Sequence, residues 1–204
     1  MEEMKMGQRL IVSLTKNNRD IAKIYYHWSA YTVSALWETQ KIVNCIYNHK
    51  DETEKELQLR LIRFCEENGG GIRGDDMEFA YIRNRFPGEN FKTDGYSRND
   101  GLIAISESGM QGLQYWSEGD VIINLDEDLI NFGVYASYES FEEYIEERKE
   151  CDDDFEGLEL EEIPDIGWDL GYIHVEDLDA VVEAVDVANS NPIRNGNEIF
   201  ELTE

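Results

Sequence analysis

Residues 8–15 and 20–28 are rich in β-branched and aromatic side chains, and Lys16-Asn17-Asn18-Arg19 between them has the composition of a turn. That pattern predicts an N-terminal β-hairpin. The apolar period then lengthens: Val33, Leu36, Trp37, Gln40, Val43, Ile46 and Tyr47 recur at the three-and-four spacing of one helical face, with Thr32 placed to cap it. Thr53 and Glu56 form a capping-box pattern ahead of Leu57, Leu61, Phe64 and Cys65, and Asn68-Gly69-Gly70-Gly71 ends this second helix. A third, shorter helix is predicted from Asp76 to Arg85, stopped by Pro87-Gly88.

After a loop-like stretch from Glu89 to Asp100, residues 102–106, 121–125 and 132–135 read as short strands joined by glycine-containing turns. Ser140 and Glu143 make another capping box for an amphipathic helix from Phe141 to Lys149. A last helix is expected from Val175 to Ala188, with Leu178, Val181, Val182 and Val185 on one side and Asn189-Ser190-Asn191-Pro192 ending it. No internal repeat or βαβ alternation is visible. The expected class is therefore α+β: an N-terminal β-hairpin and helices, followed by a small antiparallel sheet with two further helices.

The chain has 204 residues, 41% of them hydrophobic and 11% aromatic, enough to bury a core and fold. Met1 to Gly7 is polar and acidic, and no later run approaches the roughly 18 apolar residues of a membrane span, so neither secretion nor insertion is expected. Cys45, Cys65 and Cys151 are odd in number and widely spaced, which favours neither a disulfide framework nor a zinc site and fits a reducing cytoplasm.

Charge changes the picture most. The formal net charge is −27, yet residues 1–100 hold 15 Lys+Arg against 16 Asp+Glu, whereas residues 101–204 hold 3 against 29. A general solubility adaptation would not leave the first hundred residues neutral. This asymmetry divides the chain into a near-neutral α+β lobe, 1–100, and a strongly acidic one, 101–204, expected to pack together as one unit. From Glu139 to Asp165 fourteen carboxylates face only Arg148 and Lys149, while Phe141, Tyr144, Ile145, Phe155, Leu158, Leu160 and Ile163 supply an anchoring side. Glu142, Glu143, Glu146, Glu147, Glu150, Asp152, Asp153, Asp154, Glu156, Glu159, Glu161 and Glu162 are accordingly the candidate partner-binding residues.

Other constellations carry less chemistry. Tyr26, His27, Trp28 and Tyr31 could stack a planar ligand at a strand-to-helix junction, or serve as ordinary core. His27 has no recognisable nucleophile beside it. The glycines of residues 69–74 lack the Lys-Ser/Thr ending of a P-loop. Asp152-Asp153-Asp154-Phe155-Glu156-Gly157 opens like a calcium loop, but Ile163 stands where a bidentate glutamate is required. Ser106–Gly109 and Gln114–Ser117 are expected between strands, with Tyr115 and Trp116 serving either as interface anchors or as buried packing. No catalytic residue, metal ligand or cofactor is assigned.

Carboxylates spaced at two or three per helical turn approach the density of duplex DNA, about one charge per 1.7 Å of axis. In size, acidity and lack of a catalytic motif, above all over residues 101–204, the chain resembles the small acidic inhibitors carried by bacteriophages and other mobile elements, among them DNA mimics and anti-CRISPR or other anti-defence proteins. The opening Gly7-Gln8-Arg9-Leu10 and the later His27-Trp28-Ser29-Ala30-Tyr31-Thr32 also look like a phage protein. The resemblance implies a non-enzymatic inhibitor whose partner is a basic, nucleic-acid-binding host defence effector. It implies no direct binding of nucleic acid or membrane, and it is compatible with a homo-oligomer. A nucleotide-like small-molecule binder or sponge centred on residues 25–32, and an enzyme, are the alternatives.

Overall fold

The computed structural model describes residues 9–27, 29–30, 32–92, 101–134 and 171–183. Within them lie strands β1 (Leu10–Lys16), β2 (Arg19–Tyr26), β3 (Gly71–Ile72), β4 (Leu102–Ala104), β5 (Gly119–Asn124), β6 (Leu129–Gly133) and β7 (Tyr172–His174). The helices are α1 (Thr32–Ile46), α2 (Glu54–Glu67), α3 (Asp76–Arg85) and α4 (Glu107–Gln114), and residues 178–183 are also helical. The fold is α+β.

Asn17 and Asn18 have φ of 53° and 58°, the left-handed pair of a two-residue turn whose twist matches the flanking strands. The hairpin so formed pairs Lys16 with Arg19 and runs back to Leu10 opposite Tyr26. It does not stand apart from a later antiparallel sheet, as the sequence had led us to expect. All seven strands join one mixed sheet in the order β3-β4-β2-β1-β5-β6-β7. β1 runs parallel to β5, from Leu10 beside Gly119 to Thr15 beside Asn124, and β3 runs parallel to β4. β1 is thus an interior strand, its backbone paired with β2 along one edge and β5 along the other, and Leu10 to Leu14 are all buried because helices cover both of its faces. The sheet is thus continuous across residue 100.

Side-chain alternation separates two faces. Leu10, Val12, Leu14, Ile24, Tyr26, Ile103, Val121, Ile123, Ile130 and Ile173 pack beneath Leu36, Ile42 and Ile46 of α1 and Leu57, Leu61 and Ile62 of α2. Each such aliphatic side chain withdrawn from water contributes about 1.5–3 kcal/mol. α2 begins with the expected capping box, the Thr53 hydroxyl accepting from Glu56 N and the Glu56 carboxylate accepting from Thr53 N. The opposite face of the sheet is partly covered by α4, whose Leu113 and Met110 meet Ile11, Tyr25 and Ala104.

α4 occupies residues that the sequence reading had placed between strands. Its N-terminus is held by Glu78 of α3, 1% exposed, whose carboxylate accepts from Ile105 N at 2.7 Å and Ser106 N at 3.1 Å and from the Ser106 hydroxyl. Ser106 Oγ in turn accepts from Gly109 N at 3.0 Å, capping the helix.

Candidate functional site

Tyr25 and Tyr26 end β2 and His27 follows it, and the period of two splits the two tyrosines. Tyr26, opposite Leu10, points into the helix-covered core and is 6% exposed. Tyr25 points to the other face, where its hydroxyl lies 2.7 Å from His27 Nδ1. A strand cannot present successive rings as one stacking wall. Tyr26 also borders a cavity of about 170 Å³ with Ser29, Glu38, Lys41, Phe64, Cys65, Asn68 and Gly101. That volume is below the roughly 300–1,000 Å³ of sites for drug-sized ligands. Trp28 and Tyr31 lie outside the described residues.

A larger, open groove of about 770 Å³ runs along α1 and α2, bordered by Lys41, Asn44, Cys45, Arg60, Arg63 and Glu67 among others. Its cations already have partners: Arg60 donates to Glu52 at 2.7 Å, Arg63 to Glu66 at 2.7 Å, and Lys41 to Glu38 at 2.7 Å. Arg60 holds the Glu52 carboxyl below the usual range, and burial pushes the Cys45 thiol up. Neither an anion nor a reactive thiolate is favoured in this groove.

On the α4 side of the sheet, Lys23 and Ser13 face each other across β1 and β2. Lys23 Nζ donates to Ser13 Oγ at 2.8 Å and Gln114 Oε1 at 2.7 Å and pairs with Asp20 at 3.0 Å. With all three N–H groups engaged, this ammonium is a satisfied structural charge rather than a base for the serine. Gln114 passes the network on, its Nε2 donating to Asp120 Oδ1 at 2.8 Å.

The most uneven feature is the charge of the segments that follow residue 100. Residues 101–134 and 171–183 contain ten carboxylates and no lysine or arginine. Two of the ten receive a cation from the first hundred residues. Arg9 grips Glu118 through Nε at 3.1 Å and Nη2 at 3.2 Å, which holds the Glu118 carboxyl below its ordinary value, and Lys50 meets Asp128 at 2.6 Å. Backbone N–H groups of Asn18 and Asn17 hold Asp126 low as well, and Gln40 donates to Asp179 at 2.7 Å. Glu107, Glu127, Glu176, Asp177 and Glu183 are exposed and meet no lysine or arginine among the described residues. These acids were absent from the candidate set, although the one-sided charge of residues 101–204 had signalled them. The twelve candidates from Glu142 to Glu162 lie outside the described residues.

Among the described residues no group of three or more histidine, cysteine or acidic side chains converges as a metal site, and no helix is long and apolar enough to cross a membrane. Comparison of the chain with protein-family models, curated proteins and solved structures finds no match.

Proposed function

We propose that this protein binds a basic macromolecular partner, a nucleic-acid-processing or host defence protein, through an acidic surface that imitates nucleic acid, and inhibits it as phage-type anti-defence proteins do. The observation that carries the reading is the set of ten carboxylates in residues 101–134 and 171–183, of which only two pair with a lysine or arginine among the described residues, Glu118 with Arg9 and Asp128 with Lys50. Carboxylates left without internal cations repel one another and destabilise the folded chain. A Lys/Arg-lined groove would relieve that repulsion on binding and would lose its own nucleic acid in the exchange. The acidic run from Glu139 to Asp165 adds to the same sign of charge.

The reading is tested by competition. Protamine serves as the basic probe, loaded with a fluorescent DNA duplex, and the full chain is added at low salt. Release of the duplex at near-stoichiometric protein is expected. Duplex retained at large excess would remove nucleic-acid mimicry as the function.

A further inference from the structure

α4 covers the second sheet face over β4, β2 and β1, and reaches β5 only with Gln114. Across β5, β6 and β7 no described helix lies on that face, and its outward side chains include Asp120 and Ile122 of β5 and Tyr172 of β7. Ile122, Asn131 and Tyr172 stand in one row, paired strand to strand. Tyr172 is 70% exposed and Ile122 38%. Where α4 ends and β5 approaches, Tyr115 and Trp116 are 85% and 52% exposed, with ring centroids 5.8 Å apart. Arg9 lies 5.4 Å from the Trp116 ring centre, and Trp116 remains exposed beside it. Large exposed rings beside a sheet face that no described helix covers are features of a contact surface rather than of a solvated one.

Charge decides the occupant. Among the described residues, the lysine and arginine of this face, Lys23 and Arg9, are bound to Asp20 and Glu118, while Asp120 accepts an amide hydrogen bond from Gln114 and pairs with no lysine or arginine. A second copy of the chain would bring −27 against −27 and is disfavoured. An arginine-rich segment satisfies both features together, because guanidinium stacks on exposed tyrosine and tryptophan faces and pairs bidentately with a carboxylate, whereas lysine is a hydrated point charge.

Resting on the function proposed above, we infer that the exposed residues of the β5–β7 face, Ile122 and Tyr172, with Asp120 and the Tyr115–Trp116 pair, form the docking surface for an arginine-rich segment of the basic partner.

The test uses the full chain and two probes, an oligoarginine and an oligolysine peptide of equal length. Oligoarginine is expected to bind more tightly, and amide and indole shifts in two-dimensional NMR should concentrate on residues 115–122 and 172–174. Tyr172→Ala combined with Trp116→Ala removes exposed rings, should keep the melting temperature, and should weaken oligoarginine by about tenfold while leaving oligolysine within about twofold. Shifts confined to residues 139–165, or equal affinity for both peptides in protein and variant, would overturn this docking surface and leave the acidic reading standing. Failure to bind either peptide would overturn both. Shifts at these rings that depend on protein concentration alone would assign the face to a second copy and overturn the proposal.

Discussion

Thr39 is fully buried in α1, and its hydroxyl has no hydrogen-bond partner among the described residues. A buried hydroxyl without a partner carries a desolvation cost that a methyl group of the same shape avoids. Thr39→Val should therefore raise stability by about 1 kcal/mol, read as a higher urea midpoint at unchanged slope. An equal or lower midpoint would mean that the hydroxyl is satisfied in solution. Glu118 makes a prediction of opposite character. Arg9 holds its carboxyl below the ordinary value, so the bond contributes stability above the unfolded-state pKa of about 4.3 and loses it as pH falls through the lower, folded value. Glu118→Gln should be less stable than the parent at neutral pH, with the gap closing in that acid window. A gap that persists to lower pH would assign the loss to packing instead of charge.

Elements whose signals are local were legible in the sequence. The two-asparagine turn, the Thr53–Glu56 capping box and the Asp76–Arg85 helix depend on neighbours a few residues away, and each is where the pattern placed it. α4 was not legible, because Gly109 and Gly112 lower the helical propensity of a short segment by roughly 1 kcal/mol each. Their reason is tertiary: a Cβ on Gly109 would lie 2.1 Å from Glu78 Oε2, and one on Gly112 would lie 2.2 Å from Arg73 Nη1. Strands β3 and β7, of two and three residues, were hidden for a related reason, since only their partners β4 and β6 make them strands. Of the candidate site, the sign and the half of the chain were legible. The sheet face was not, since pairing distant strands decides which side chains share it. Gly109→Ala should cost roughly 1–3 kcal/mol, as overpacking does, despite improving helix propensity. Denaturation of the variant at the parent midpoint would show that the Glu78 latch gives way freely.

At the scale of the whole molecule, the charge excess and the fold are separable. In sequence, Glu142, Glu146 and Glu147 fall off the three-and-four spacing of Phe141, Tyr144 and Ile145 in the helix predicted from Phe141 to Lys149, and Glu150 directly follows that helix. Replacing those four glutamates with glutamine removes charge at nearly equal helix propensity, so the melting temperature should hold or rise slightly while affinity for protamine falls. A folded variant with full affinity would return that segment to a solubility role. The central claim, that binding is driven by carboxylates without internal cations, is tested most directly by salt. Calorimetric titration of protamine into the full chain, from about 50 mM to about 200 mM salt, should show affinity falling by at least tenfold, because exposed charges are screened over a Debye length of about 8 Å at physiological ionic strength. Affinity unchanged across that range would contradict the account.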